Sequence, residues 1–95
     1  MEYVVRTTKH FDKGVERMRK LGKNMEELKT VLALLRESGT LPEEYNPHLL
    51  HERFAGYWEA HIEADWLIVW RQNDYQLTII LTDTGTHFDL FGTKS

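Results

Sequence analysis

An α+β fold is predicted for this chain, in which an N-terminal helical hairpin packs on a four-stranded antiparallel sheet. Two amphipathic repeats indicate the helices, and three closely linked β-prone segments in the second half indicate the sheet. A short β-prone run ahead of the first helix is expected to complete the sheet, which gives the order β-α-α-β-β-β. Because 95 residues are enough for one core, residues 1–95 are expected to form a single domain.

The first half of the chain predicts a strand followed by two helices. Residues 2–6 are β-prone and lead into two threonines, one of which can cap a helix. Apolar residues then recur at helical spacing from Lys9 until Gly22. A second repeat begins after Asn24, in a pattern typical of a capping box, and is predicted to end near Ser38. Since few residues separate the two helices, they are expected to pack antiparallel.

The second half predicts a loop, three strands and a short tail. Prolines, polar residues and histidines break every periodicity in residues 41–54, which indicates a loop. Strands are predicted at 56–64, 66–71 and 75–82, joined by tight links as in an antiparallel meander. The tail, residues 83–92, contains a glycine turn and then a short apolar segment.

A polar face is predicted on the strand that contains His61. Side chains alternate along a strand, so His61 is expected to point away from the core, on the same side as Tyr57, Glu59 and Glu63. The opposite side carries Trp58, Ala60 and Ile62. We therefore expect the stretch from His61 to Trp66 to be the centre of a polar site, which other histidines reach through the fold.

Composition and charge narrow the possible functions. The absence of cysteine excludes disulfides and thiolate zinc sites. The net charge is −3, but residues 1–40 carry nine Lys/Arg against six Asp/Glu, and residues 41–95 carry three against nine. Nucleic-acid binding would therefore depend on a local patch or on a larger partner. No membrane span or signal pattern is recognisable, so a cytoplasmic protein with no membrane contact is expected.

Histidine and carboxylate are the reactive groups that remain. His48 and His51 are three residues apart, but Pro47 and the loop composition count against a helical zinc pair, so no metal or cofactor is predicted. Two histidines that face one phosphodiester could act as general base and general acid, with a carboxylate to orient one of them. The ribose 2′-OH would be the nucleophile, and a cation should stabilise the phosphoryl charge.

Several separated motifs are more specific than the composition. They are Leu41-Pro42, Tyr45, His48-Leu49-Leu50, Gly56-Tyr57, the run from His61 to Trp66, Thr84-Gly85-Thr86-His87 and Leu90-Phe91-Gly92. In this order they resemble the YafQ branch of the RelE/ParE toxin superfamily. The resemblance implies a RelE-like α+β fold and the toxin of a type II toxin–antitoxin system. It also implies an endoribonuclease that cuts mRNA in the ribosomal A site without metal and is neutralised by a cognate antitoxin in a hetero-oligomer.

The resemblance also implies roles for particular residues. Base and orienting functions are expected for His48, His61 and Asp65, and the acid function for His87. The resemblance marks Trp66 and Phe91 as further functional positions, with Trp66 the candidate platform for base stacking. Phe91 is expected to contribute packing more than contact with RNA.

The most serious departure from the family pattern is at position 83. Asp83 stands where the family has arginine directly before Thr-Gly-Thr-His, and an acidic group there would repel phosphate. Arg53 and Arg71 are the candidates to replace that arginine as substrate-binding residues.

Three other functions stay open at this point. A ParE-like inhibitor of DNA gyrase would not need the set of three histidines. A catalytically weakened module that only binds antitoxin is made credible by Asp83. A small metal hydrolase using His and Asp ligands is the third possibility.

Overall fold

The computed structural model describes residues 2–92. Within these residues, five strands and three α-helices follow one another: β1 (Val4–Thr7), α1 (Lys9–Lys20), α2 (Met25–Ser38), β2 (His48–Leu49), β3 (Trp58–Glu63), β4 (Trp66–Asn73), β5 (Thr78–Gly85) and α3 (His87–Phe91). Two 3₁₀ turns, Glu43–Tyr45 and Glu52–Phe54, flank β2. The α+β class predicted from the sequence is confirmed.

Both long helices lie where their periodicity predicts them. The Thr8 side chain caps α1 by accepting a hydrogen bond from the backbone N–H of Phe11. The Asn24 side chain caps α2 by accepting from the N–H of Glu26. Gly39 ends α2 in the left-handed conformation, with φ of 71°, which glycine adopts without steric cost.

The sheet has five strands and is mixed, so the predicted four-stranded antiparallel sheet is wrong in detail. The strand order is β1-β5-β4-β3-β2. β1 pairs in parallel with β5, while the other neighbours are antiparallel. The chain between β1 and β5 includes both long helices, so it is long enough to return β5 parallel to β1. The fifth strand, β2, is two residues long and lies inside the predicted loop.

The last strand is displaced from its predicted position. The Asn73 side chain accepts hydrogen bonds from the backbone N–H groups of Tyr75 and Gln76, which makes a turn of those residues. Leu77 has a φ of 54°, so β5 begins only at Thr78. It continues to Gly85, three residues into the segment predicted as a tail. This extension brings the start of α3 to the end of the sheet.

The helical hairpin covers one face of the sheet. Apolar side chains from both elements form a common core: Phe11, Met18, Leu28, Val31, Leu35, Ala60, Ile62, Trp66, Ile68, Trp70, Ile79 and Leu81. Ala60 and Ile62 face this core as the alternation along β3 predicts. The opposite face of the sheet is left for α3, the 3₁₀ turn Glu52–Phe54 and polar side chains, whereas Tyr45 of the other 3₁₀ turn belongs to the core. Within residues 2–92, no helix is both long and apolar enough to cross a lipid bilayer.

Candidate active site

A histidine–aspartate pair joins the turn between β3 and β4 to the start of α3. Nδ1 of His87 lies 2.8 Å from Oδ1 of Asp65, and the backbone N–H of His87 donates to the same oxygen at 3.1 Å. Thr86 and Asp89 form a capping box at the N-terminus of α3, which fixes the backbone that carries His87. Two residues that are 22 positions apart in the chain are therefore held together by local structure at both ends.

The charge on Asp65 defines the tautomer of His87. Hydrogen bonds from the side chain and backbone of His87 lower the pKa of Asp65, and Lys23 contributes to the same shift. The carboxylate is thus ionised near neutrality and can only accept, so Nδ1 of His87 must carry the proton of the short contact. Nε2 of His87 is left as the nitrogen that can give a proton to another group or take one from it.

The ring of His61 lies beside this pair. The centroids of the His61 and His87 rings are 5.7 Å apart, with an angle of 47° between the ring planes. Nε2 of His61 is buried and has no hydrogen-bond partner within residues 2–92. An unpaired buried polar atom costs about 1–3 kcal/mol, so a substrate oxygen or a moved side chain would gain by pairing with it.

A second imidazole–carboxylate pair lies on the edge of the sheet. Nδ1 of His48 is 2.8 Å from the carbonyl oxygen of Asn46, and Nε2 is 3.1 Å from Oε1 of the buried Glu59. A carbonyl can only accept, so Nδ1 must donate to Asn46. The contact between Nε2 and Glu59 then requires one further proton, held either by His48 or by the carboxyl group.

The strand register places these groups on one face of the sheet, which we call the site face. Residues directly opposite each other on antiparallel strands project to the same side. One row across the sheet is formed by His48, Glu59, Val69 and Asp83. The next row is formed by His61, Leu67 and Gly85, which leads into His87. The structure therefore brings together His61, Asp65 and His87, and it places His48 in the neighbouring row.

Asp83 lies on the same face, at the opposite end of its row from His48. Burial raises the pKa of Asp83, although the backbone N–H of Thr84 and the nearby charges of His10 and Arg17 act in the other direction. Asp83 also lines a largely apolar groove of about 290 Å³ together with Leu50, Arg53, Phe54, Tyr57, Val69, Thr82, Leu90 and Phe91. The departure from the family pattern thus places a partly buried carboxyl group on the same face of the sheet as His48 and His61.

Trp66 requires a correction. Its side chain is fully buried, and its Nε1 donates to Oγ1 of Thr84 at 2.9 Å. Thr84 is itself buried and donates to the carbonyl oxygen of Leu67. The indole therefore belongs to the core between the sheet and the helices, and neither of its faces is available to a nucleobase. The alternation of side chains along β4 could have indicated this, since Trp66 lies on the same side of the strand as the core residues Ile68 and Trp70.

Phe91, Arg53 and Arg71 each contact an aromatic ring. The ring of Phe91 packs edge-to-face on Phe54 at 5.4 Å between centroids, in agreement with its expected packing role. The guanidinium of Arg53 lies 5.1 Å from the centroid of the same Phe54 ring. Arg71 lies 5.4 Å from the centroid of Tyr57. Each of these arginines is thus placed over an aromatic ring.

Sequence reasoning assigned no role to Glu59, although its position was predicted on the polar side of β3. Its burial beside His48 depends on the two-residue strand β2, for which the sequence gives no clear signal. No group of three or more potential metal ligands of the His, Cys, Asp or Glu type occurs within residues 2–92.

Comparisons with known proteins show the family of this chain. The family described as "Bacterial toxin of type II toxin-antitoxin system, YafQ" matches residues 3–92. The chain belongs to the YafQ toxin family. It is 37% identical over 83 residues to the mRNA interferase toxin YafQ of Escherichia coli strain B/BL21-DE3, a match that covers 86% of this chain and 88% of that protein.

Solved structures of YafQ proteins have the same fold. The crystal structure of YafQ from E. coli BL21(DE3) has a TM-score of 0.85 and 32% identity, and covers 96% of this chain and 100% of that one. YafQ in the E. coli DinJ–YafQ toxin–antitoxin complex has a TM-score of 0.86 and 31% identity, with 97% and 100% covered. A metal-bound toxin from Helicobacter pylori is similar at a TM-score of 0.84 and 28% identity, with 96% and 100% covered.

Proposed function

We propose that this YafQ-family toxin is an mRNA interferase that cleaves mRNA in the ribosomal A site by attack of the ribose 2′-OH, without a metal ion. The observation that carries the proposal is the hydrogen bond of His87 with Asp65, with the ring of His61 at 5.7 Å from that of His87. Two imidazoles at this separation can act on the two oxygens of a single phosphodiester.

The proposed reaction moves one proton at each end of the scissile linkage. His61 takes the proton of the 2′-OH, and the 2′ oxygen forms a bond to the adjacent phosphorus. The bond from phosphorus to the 5′ oxygen breaks, and His87 donates a proton from Nε2 to that oxygen. Asp65 stabilises the imidazolium form of His87 and fixes its tautomer. The products are a 2′,3′-cyclic phosphate and a free 5′-OH.

His48 is proposed to support the base. It lies in the row next to His61, and its contact with Glu59 holds one proton that either partner can carry. Phe91 is proposed to shape the groove beside Asp83 through its contact with Phe54.

Dependence on the ribosome is proposed from the charge distribution. The net charge is −3, and three carboxyl groups, Glu59, Asp65 and Asp83, lie on the site face. Such a surface attracts free RNA weakly, so a larger partner must hold the mRNA in place. We also propose that the toxin acts in the cytoplasm, where ribosomes are, and that its 95 residues form one domain. By analogy with E. coli YafQ in its complex with DinJ, we propose that a cognate antitoxin binds this toxin in a hetero-oligomer.

The test uses purified ribosomes programmed with a defined mRNA. We expect the toxin to cut the mRNA at the A-site codon and leave cyclic-phosphate and 5′-OH ends. A 2′-deoxy nucleotide at the cleavage site should block the cut. His87→Ala should abolish cleavage, whereas the matched variant His51→Ala, which changes an exposed histidine outside the pair, should cleave normally.

Two outcomes would contradict the proposal. Growth arrest in cells with intact mRNA and altered DNA supercoiling would favour a gyrase inhibitor. Antitoxin binding with neither mRNA cleavage nor altered supercoiling would favour a module that has lost catalysis. The carboxyl group of Asp83, which repels phosphate, would explain that loss.

A further inference from the structure

The two rows of the site face that contain His48 and His61 carry carboxyl groups and no arginine or lysine. A 2′-OH attack adds negative charge to the phosphoryl oxygens, and preorganised donors or positive groups are needed to offset it. Besides His61, the ionisable side chains nearest His87 in the chain and in the sheet are the carboxyl groups of Asp65, Asp83 and Asp89. The charge of Lys23 helps to lower the pKa of Asp65, but Lys23 forms no ion pair with it within residues 2–92. A positive side chain from another element must therefore reach the phosphate.

Neither arginine suggested by the sequence is hydrogen-bonded or ion-paired to His61, Asp65 or His87 within residues 2–92, although Arg53 lines the groove that contains Asp83. Arg71 is four residues along β4 from Leu67, the partner of His61, which is a distance of about 13 Å along the strand. Its guanidinium is placed over Tyr57. Arg53 lies in the 3₁₀ turn before β3, and its guanidinium is over the ring of Phe54.

Arg17 of α1 reaches the end of the sheet that carries His87. Its Nη2 donates to the carbonyl oxygen of Thr84 at 3.4 Å. A Cβ atom built on Gly85 would lie 3.3 Å from the same Nη2, so the guanidinium occupies the space that a side chain on Gly85 would fill. Gly85 is in register with Leu67, which is in register with His61, so this space opens on the site face.

A shared carboxylate connects Arg17 to the backbone beside His87. Nε of Arg17 is 3.4 Å from Oδ2 of Asp89, and the N–H of Thr86 donates to the same oxygen at 3.0 Å. Oδ2 of Asp89 thus bridges Arg17 and the backbone of Thr86, the residue that precedes His87. The contact also orients the guanidinium towards the N-terminus of α3.

The guanidinium of Arg17 remains open to a ligand. Its side chain is 45% exposed, and it borders a groove of about 370 Å³ that is also lined by His10, Lys13, Asp83 and Asp89. A guanidinium has five N–H donors, and the contacts with Thr84 and Asp89 use only part of them. The remaining donors can form the paired hydrogen bonds that arginine makes with phosphate.

We propose that Arg17 is the catalytic residue that binds the scissile phosphate and offsets its developing negative charge. The proposal rests on the endoribonuclease function proposed above. In the free toxin Asp89 holds the guanidinium beside Thr86, and in the complex with RNA the phosphate takes up the donors that are free. The proton transfers assigned to His61 and His87 are unchanged, because Arg17 neither gives nor takes a proton.

The test measures single-turnover cleavage on programmed ribosomes for Arg17→Ala, Arg17→Lys and the matched control Arg19→Ala, which changes an exposed arginine of the same helix. Removal of one charge-stabilising group at an oxyanion typically costs about 10²- to 10³-fold in rate. Since Arg17 is half exposed, we expect a loss of about 100-fold for Arg17→Ala and a smaller loss for Arg17→Lys, which keeps the charge. Arg19→Ala should cleave as the wild type does.

A rescue experiment separates catalysis from a structural role. Asp83→Arg in the Arg17→Ala background places a guanidinium on the same face from β5, and we expect it to restore cleavage at least tenfold over Arg17→Ala alone. Thermal unfolding of each variant gives its stability. A loss of cleavage that follows a loss of stability and is not rescued by Asp83→Arg would show a structural role and overturn the proposal.

The design also distinguishes this proposal from the function on which it rests. If the wild type cleaves, His87→Ala does not, and Arg17→Ala cleaves at the wild-type rate, the nuclease function stands and the role of Arg17 is refuted. If the wild type and His87→Ala are equally inactive, the nuclease function fails and the role of Arg17 fails with it.

Discussion

The contact between Asp65 and His87 leads to a quantitative prediction for Asp65→Asn. Asparagine keeps the shape of the side chain, and its Oδ1 can still accept from the backbone N–H of His87. It removes the negative charge that stabilises the imidazolium, and its amide can donate to Nδ1 and shift the proton of a neutral ring to Nε2. A His87 ring in that form would not be a suitable general acid.

The size of the effect follows from the geometry. General acid–base catalysis typically contributes about 10²- to 10⁴-fold to a rate, which sets the loss if His87 stops working altogether. Asp65 acts only through His87, and its side chain is 52% exposed, so water replaces part of its effect. We therefore expect a loss of about tenfold to 100-fold in single-turnover cleavage, with Asp12→Asn, an exposed aspartate of α1, as the unaffected control.

A double mutant tests whether Asp65 works through His87. The variant Asp65→Asn/His87→Ala should be no slower than His87→Ala alone, because a residue that acts only through an absent partner has nothing further to contribute. A further loss in the double mutant would refute the mechanism. Cleavage by Asp65→Asn within about twofold of the wild-type rate would refute it as well.

The same pair predicts a dependence of stability on pH. Hydrogen bonds from His87 lower the pKa of Asp65 in the folded protein. The stabilisation is therefore present above the unfolded-state pKa of about 3.9 and is lost as the pH falls through the lower folded-state pKa. Thermal unfolding should separate wild type from Asp65→Asn at pH 7, and the difference due to this ionisation should vanish in strong acid.

Three further predictions concern the residues beneath and beside the site. Trp66→Phe should lower the free energy of unfolding in urea by about 1–3 kcal/mol, because it leaves a gap and removes the hydrogen bond to Thr84. The folded variant should still cleave within about twofold of the wild-type rate, and a loss of cleavage at unchanged stability would support base stacking instead. Gly14→Ala should destabilise the toxin by about 1–3 kcal/mol in the same assay, because its Cβ would lie 2.2 Å from the backbone oxygen of Thr84. A neutral outcome there would mean that α1 can move away from β5 freely. Asp83→Asn should raise the melting temperature at pH 7, since burial raises the pKa of Asp83 and the folded state favours the neutral form. That advantage of the neutral side chain should be absent below the unfolded-state pKa of about 3.9, and an equal gain at pH 3 and pH 7 would refute the explanation.

Local sequence signals predicted the elements that depend on local interactions. Threonine and asparagine caps and a glycine stop define α1 and α2, and the structure places all three as expected. The alternation along β3 correctly assigned Ala60 and Ile62 to the core. These signals are readable because each lies within one turn or one strand.

The features that the sequence did not predict depend on contacts between distant residues. The parallel pairing of β1 with β5 joins Val4 to Thr78, and β-propensity carries no information about partner or direction. The role inferred for Arg17 depends on the crossing of α1 over the end of β5. The periodicity of the helix alone does not distinguish Arg17 from the other positively charged residues of α1. The hydrogen-bond partner of the buried Trp66 Nε1 is a hydroxyl group 18 residues away.

The position of β5 between β1 and β4 has a consequence for how the toxin is made. Ribosomes synthesise β5 after the other four strands, so β1 and β4 have no common neighbour until residues 78–85 have left the ribosome. A nascent chain that lacks them can form the helices and the β3–β4 hairpin, but it cannot hold His87 beside Asp65. The toxin can therefore become active in the cell that makes it only after α3 has been synthesised.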